Sequence, residues 1–172
     1  MQIEKYTDRL KTLIQSAQTL AMRSGHQQFT PLHLLKALLD DEDRLAGNLI
    51  DASGATASQV AQAVDRELDK LPRVEGQGAG QIYLAPESAR VFDQAEQMAQ
   101  KAGDQFVTVE YMLLALATAA SAAADLLKKT VLYKVSHHGS RNAKVKDKGL
   151  ERMMHRVLPA RLQFFPGRSP RG

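Results

Sequence analysis

The side chains best suited to chemistry in this sequence lie at two places, an acidic run at Asp40–Asp43 and a histidine pair at His137-His138. Carboxylates and imidazoles are common ligands of divalent metals. The acidic run lacks the glycine turn and the distal glutamate of a calcium loop, so we expect it to be a solvated loop. The histidine pair supplies two ligands at most, whereas a zinc site needs three or more. We therefore predict no metal and no cofactor.

Other catalytic arrangements are missing from the sequence. No GxxxxGK[ST] loop occurs that could cradle a nucleotide phosphate, and no nucleophile, base and orienting acid stand at recognisable spacing. The chain has no cysteine, which excludes thiolate and disulfide chemistry. His26 and His33 stand isolated in the sequence, and packing accounts for His33 better than ligation. We expect that the chain is not an enzyme.

The sequence repeats itself at an offset of 78 residues. A shared period of this length indicates two copies of one helical unit. The repeat stops abruptly after Lys129. In the first copy, the residues that recur unchanged include Ala17, Ala21, Gly25, Thr30, Leu35, Ala37, Leu38, Ala46 and Leu49.

Helical periodicity covers nearly all of residues 1–129. Four amphipathic helices are expected in the first copy, of which the first ends near Gly25 and the second opens with Thr30 as its N-cap. The second copy restarts at Pro86 and supplies three more helices, the last ending at Lys129. We predict an all-α fold of two tandem repeats of a small helical bundle, with an irregular basic C-terminal tail.

The charge is divided unevenly along the chain. Residues 1–129 carry 13 Lys+Arg and 17 Asp+Glu, and residues 130–172 carry 10 and 2. We therefore predict a double-repeat domain with copies at about 1–70 and 86–129, followed by an unrelated and partly disordered basic tail. The N-terminus is too polar for a signal peptide, and the longest uncharged stretch is 14 residues. A cytoplasmic location without a membrane partner is expected.

Three segments resemble a known family: Thr30-Pro31-Leu32-His33-Leu34-Leu35-Lys36-Ala37-Leu38, Leu71-Pro72-Arg73-Val74-Glu75-Gly76 and Gly103-Asp104-Gln105-Phe106. Together they resemble the double repeat at the amino end of Clp-family unfoldases. The resemblance is strongest to the double repeat of the ClpB-type disaggregases in that family. In that family the double repeat is a helical accessory domain that engages unfolded or aggregated polypeptide and passes it to ATP-driven rings. The resemblance implies a protein-binding module without those rings. Its implied partners are unfolded or aggregated polypeptide and Clp-family ATPase assemblies.

The resemblance also implies a substrate-binding surface. Its polar members would be Thr7, Asp104 and Glu110, and its apolar members would be Met98 and Tyr111. Each residue also has an ordinary structural explanation, because the polar ones suit helix ends and turns and Met98 matches a core leucine of the other copy. The residue types leave both explanations open.

The tail carries a second and shorter resemblance. Alternation over Val131–Val135 predicts a strand that runs into Ser136-His137-His138-Gly139-Ser140. This segment resembles the His-His-Gly-Ser turn of metallo-β-lactamase-fold hydrolases, but their main HxHxDH cluster is absent. Two alternatives stay open: a remnant of a metal-dependent hydrolase, and nucleic-acid binding through the basic tail. Nucleic acid is not favoured, because aromatic platforms are limited to Phe164-Phe165.

The tail also interrupts the second copy. The fourth helix of the first copy has three apolar core positions, which the same offset replaces with His138, Asn142 and Lys146. The second copy therefore either exposes an apolar groove or is covered by the amphipathic stretch Leu150–Leu158. We expect the second copy to be less protected from hydrogen exchange than the first.

Overall fold

The computed structural model describes residues 2–76 and 81–136, with side chains described as far as Lys129. Seven α-helices occur in this part of the chain, as the sequence predicted, and the fold is all-α. They follow a short 3-10 helix at Ile3–Lys5. The helices are α1 (Asp8–Arg23), α2 (Pro31–Leu39), α3 (Leu45–Ala52), α4 (Ala57–Asp69), α5 (Pro86–Ala102), α6 (Val109–Thr118) and α7 (Ala122–Ser136).

The two copies have the same local structure where their sequences match. Helices α1 and α5 both end in a left-handed glycine, Gly25 with φ of 71° and Gly103 with φ of 77°. The next amide then donates back into the helix in each copy, from His26 to the Ala21 carbonyl and from Asp104 to the Ala99 carbonyl, both at 3.0 Å. This turn caps the helix and needs a residue that tolerates positive φ, which explains why glycine recurs.

Two short parallel pairings join the copies, and sequence patterns did not predict them. Strand β1 (Gln28–Phe29) pairs with β2 (Tyr83–Leu84), and Tyr6 pairs with Val107. The offset of 78 relates Phe29 to Val107 and Tyr6 to Leu84. Each copy therefore lends the segment before its first helix to the loop before the other copy's second helix. The two repeats are linked by a reciprocal exchange around a pseudo-two-fold axis.

Helix α2 is the central element of the single hydrophobic core. It packs against α1, α3, α4, α5, α6 and α7, and its equivalent α6 is buried along nearly its whole length. An aromatic cluster connects the copies across this core. The Phe29 ring stacks on Phe92 at a centroid distance of 6.4 Å, and Tyr6 meets Phe92 edge-on at 6.1 Å. Burial of these rings depends on both copies at once.

The predicted strand at Val131–Val135 is wrong, because the structure continues α7 as a helix to Ser136. A five-residue alternation is short enough to fit either structure, and no glycine or proline stands between Ala122 and Ser136 to stop a helix that has already formed. Lys128 and Lys129 consequently lie inside α7 and do not end it.

The expectation that the second copy lacks its fourth helix concerns His138, Asn142 and Lys146, which lie outside the described residues. The stretch Leu150–Leu158 also lies outside them. Within the described part, α7 packs against α4 and α2 of the first copy as well as against α6. Ala123, Ala124 and Leu127 are buried there. The first copy therefore covers part of α7.

Among the described residues, no single helix is long and apolar enough to cross a membrane. Helix α6 and the Ala122–Lys129 part of α7 reach that length and apolarity only as a pair bent by 89°.

The exchange between copies makes a prediction about cooperativity. Phe92→Ala removes a ring that packs on residues of both copies, so we expect it to lower the free energy of unfolding by about 3–5 kcal/mol. The exposed Phe106 provides a matched control, and Phe106→Ala should cost less than about 0.5 kcal/mol. Urea denaturation measures both values.

Urea denaturation together with hydrogen exchange shows whether the two repeats unfold together or separately. Because each copy pairs with a segment of the other, residues 10–70 and 86–129 should unfold in one transition and show similar protection from hydrogen exchange. Faster exchange confined to residues 86–129 would instead favour the expectation drawn from the missing helix.

Candidate functional site

The candidate residues that the resemblance implied gather around the pairing of Tyr6 with Val107. Thr7 is the N-cap of α1, where its side chain accepts a hydrogen bond from the Leu10 amide at 3.3 Å. Its own amide donates to the Val107 carbonyl at 3.1 Å. The second copy therefore holds the first turn of α1 in place.

Asp104 and Tyr111 are hydrogen-bonded to each other. The Tyr111 hydroxyl donates to Asp104 Oδ2, while Asp104 itself is exposed in the turn after α5. The Tyr111 ring is 4% exposed and belongs to the core. Burial, followed by the bond to Asp104, raises the pKa of the Tyr111 phenol well above its ordinary value. Tyr111 therefore supports the site from below and does not offer an open apolar surface.

The remaining two candidates are half-buried. Glu110 lies in the first turn of α6, where the helix dipole favours a carboxylate, and its charge acts on Tyr111. Met98 lies on α5 and packs partly against the core. The structure therefore groups Thr7, Asp104, Glu110 and Tyr111 near one pairing, with Met98 on the adjoining helix.

Sequence reasoning missed a second phenol–carboxylate pair at the same place. The fully buried Tyr6 donates its hydroxyl to Glu96 Oε1 at 2.6 Å, and the Gln2 amide approaches the same oxygen at 3.2 Å. Burial and the neighbouring carboxylate raise the pKa of Tyr6 well above its ordinary range. One signal was available, because the equivalent positions in the other copy carry Leu84 and Gln18 and need no such pair.

The residues around the pairing of Tyr6 with Val107 form one surface, which we call the Tyr6–Val107 face. Its exposed apolar side chains are Ile3 at 48% and Phe106 at 50% exposure. Its carboxylates have no ion pair among the described residues, in contrast to most acids of the first copy. The members of the face are Ile3, Glu4, Thr7, Asp93, Glu96, Asp104, Phe106 and Glu110.

The opposite end of the pseudo-two-fold axis has the same backbone and different chemistry. His26 and His33, which stand where the second copy has Asp104 and Tyr111, are hydrogen-bonded through His26 Nδ1 and His33 Nε2 at 2.9 Å. The expectation that they are isolated is wrong. The turn at Gly25 brings His26 within hydrogen-bonding distance of His33, which lies seven positions later on α2. His33 is fully buried and His26 nearly so.

The bonds of this pair fix the proton positions. The Thr30 amide donates to His33 Nδ1 at 3.0 Å, so His33 carries its proton on Nε2 and donates it to His26 Nδ1. His26 then carries its own proton on Nε2, a buried atom without a partner among the described residues. A further proton on either ring would break one of these bonds.

The acidic run Asp40–Asp43 is a loop between α2 and α3, as expected. Arg9 of α1 pairs with Asp41 and Asp43, and Lys36 pairs with Asp40 at 3.0 Å. The run lines an open groove of about 560 Å³ beside α1. No group of three possible metal ligands occurs within the described residues, and the His137-His138 segment lies outside them.

The comparisons with known proteins agree with this fold. The sequence profile of the Clp repeat (R) N-terminal domain matches residues 5–130, and the chain belongs to this family. The match ends before the His-His-Gly-Ser segment. The chain is similar to the chaperone protein ClpB of Rhodopseudomonas palustris, with 60% identity over 116 residues that cover 67% of this chain and 13% of that protein. It is also similar to ClpB of Mesorhizobium japonicum, with 51% identity over 130 residues that cover 75% of this chain and 15% of that protein.

The chain thus spans about 13–15% of the length of these curated relatives. Solved structures share its fold. The N-terminal domain of Hsp104 from Candida albicans has a TM-score of 0.69 at 21% identity, covering 88% of this chain and 90% of that one. The N-domain of ClpV from Vibrio cholerae has a TM-score of 0.61 at 18% identity, covering 88% and 86%.

The histidine pair makes a prediction about pH. Burial, and then the neighbouring His26, lower the pKa of His33 from 6.5 to about 4, and burial also lowers the pKa of His26, with Arg73 adding to the shift and Asp69 opposing it. The unfolded chain therefore binds a proton at His33 below about pH 6.5 that the folded chain does not bind until about pH 4. The free energy of unfolding should be complete above pH 6.5 and should fall by up to about 3 kcal/mol toward pH 4.

Urea denaturation between pH 7.5 and 4 tests this expectation in the natural chain and in His33→Gln. The variant should be less stable at pH 7.5 and should lose less stability on acidification. Parallel curves for the two proteins would show that His33 does not titrate in this window.

Proposed function

We propose that this chain is a protein-binding module of the ClpB-type chaperones that engages unfolded or aggregated polypeptide through the Tyr6–Val107 face. The observation that supports it is the combination of exposed Ile3 and Phe106 with carboxylates that have no ion pair in the described part of the chain. Unfolded chains expose apolar side chains, and a few charges around an apolar patch limit unselective association.

The position of this face supports the proposal further. The pairing of Tyr6 with Val107 and the two phenol–carboxylate bonds hold the backbone beneath it. A rigid base keeps Ile3 and Phe106 exposed, because the chain cannot relax to bury them. Binding then requires little ordering of the domain itself.

The proposed module has no catalytic step of its own. Its partners are unfolded or aggregated polypeptide and, by membership of the family, Clp-family ATPase assemblies. The chain is related to one end of ClpB proteins that are several times longer, and the proposed role is delivery of bound polypeptide to such assemblies. A cytosolic location accords with this role.

Titration with a denatured model protein tests the proposal. The chain contains no tryptophan, so the fluorescence of a tryptophan in the client reports binding without background. We expect saturable binding without nucleotide, and no binding of the same client when it is folded. Equal binding of the folded client would contradict the proposal.

A matched pair of substitutions locates the binding surface. Phe106→Ser removes half-exposed apolar surface from the Tyr6–Val107 face, and Tyr83→Ser removes it from the opposite end, where Tyr83 is 61% exposed. We expect the first change to weaken client binding about tenfold, or roughly 1.4 kcal/mol, and the second to leave it nearly unchanged. Equal effects would move the binding surface away from this face.

A further inference from the structure

The Tyr6–Val107 face carries five carboxylates, of which Glu96 and Asp104 accept hydrogen bonds from the phenols of Tyr6 and Tyr111, and the other three accept none in the described structure. Its five carboxylates have neutral equivalents at the other end of the pseudo-two-fold axis. Four of the five pairs lie in matching helices or turns, whereas Glu4 lies in the 3-10 helix and Ile82 lies in irregular chain before β2. The acids Glu4, Asp93, Glu96, Asp104 and Glu110 correspond to Ile82, Gln15, Gln18, His26 and Leu32. Since neutral residues occupy the equivalent positions in α1, α2 and the turn at Gly25, these helices and turns form without the charge.

Little on the domain itself compensates this charge. Lys5 and Lys101 are the only cations within residues 2–7 and 91–111, and neither makes an ion pair with a described residue. Elsewhere in the described structure, Arg9, Lys36, Lys70 and Arg73 are each paired with a carboxylate. The face therefore presents a net negative potential beside the exposed side chains of Ile3 and Phe106.

The same chain contains a segment of complementary composition. Residues 137–172 carry nine Lys+Arg against two Asp+Glu, and they include the apolar pairs Met153-Met154 and Phe164-Phe165. The segment follows Ser136, where α7 ends in the described structure. At full extension its 36 residues reach about 120 Å, several times the roughly 36 Å diameter of a compact domain of this size.

We propose that the basic segment 137–172 binds the Tyr6–Val107 face of its own chain and competes there with client polypeptide. Cations of the segment neutralise the uncompensated carboxylates, and its apolar pairs cover Ile3 and Phe106. A ligand tethered to its site meets it at an effective concentration that reaches about millimolar, so individually weak surface contacts suffice. The inference rests on the proposed function only in naming the client as the competitor.

Paramagnetic relaxation in the full chain tests this contact. The chain has no cysteine, so Ser169→Cys gives a single site for a nitroxide label on the segment. At low salt we expect the label to broaden the amide signals of residues 4–7 and 104–110 at least threefold more than those of residues 26–32 and 82–84. At 1 M salt, where screening acts within about 3 Å, this difference should disappear. Equal broadening at both ends would overturn the proposal.

Two charge variants separate specific attraction from the overall charge. Asp93→Asn with Glu110→Gln removes two carboxylates that accept no hydrogen bond in the described structure, and should reduce the broadening at least twofold. Glu42→Gln with Glu75→Gln removes the same charge from exposed positions elsewhere and should leave it unchanged. Equal reductions by both pairs would overturn the proposal. So would broadening that persists when labelled chains are mixed with unlabelled isotope-enriched chains, because the contact would then join two molecules.

Client titration distinguishes this inference from the proposed function. Substituting Lys144, Lys146 and Lys148 with Glu should tighten binding of the denatured client at least threefold by releasing the face. If the client binds but the label broadens neither end selectively, the proposed function stands and the segment does not dock. If the label broadens the face but no client binds, the docking stands and the proposed function fails.

Discussion

The reciprocal pairing between the two copies is the constraint on which the rest of the structure depends. Tyr6 reaches the loop before α6, and Leu84 reaches the loop before α2, so neither copy completes its own junction. Backbone hydrogen bonds cross the repeat boundary at both places, from the Thr7 amide to the Val107 carbonyl and from the Ala85 amide to the Phe29 carbonyl. Phe29 and Phe92 then meet over the same boundary and turn two small bundles into one core. A four-helix unit of about 70 residues has a marginal core on its own, which a shared core relieves.

The duplicated backbone supports two different polar solutions. Each copy places a residue of the glycine turn within hydrogen-bonding distance of the second helix, and the occupants are two histidines in one copy and a tyrosine with an aspartate in the other. Three of the four ring nitrogens of the histidine pair are hydrogen-bonded, and the fourth, His26 Nε2, is buried without a partner among the described residues. The tyrosine pair leaves Asp104 exposed and charged. The same geometry therefore gives a buried pair of imidazoles at one end and an exposed carboxylate at the other.

Much of the fold follows from the sequence, because its signals are local. Thr30 before Pro31 marks the start of α2, and Gly25 and Gly103 mark the ends of α1 and α5, each through the conformation of a few adjacent residues. The exchange between copies was not predictable in this way. Strands of two residues have no periodicity, and their partners lie more than fifty positions away in the chain. The prediction for the end of α7 was wrong for a related reason. A short alternation of β-branched residues is a weaker signal than the continuation of a helix that has already formed.

The resemblance proposed members for a site, and the structure adds where each of these residues lies and what it contacts. The family resemblance implied Thr7, Asp104 and Glu110 as polar members, and the structure places them around one pairing. It also implied Tyr111 as an apolar member, but the Tyr111 ring is buried and its hydroxyl donates to Asp104. The pair formed by Tyr6 and Glu96 depends on a contact across 90 positions that no local pattern reveals. A comparison of equivalent positions shows it indirectly. Where two copies share a fold, a difference in polarity between equivalent positions, such as Tyr6 and Leu84, points to a contact that only one copy makes.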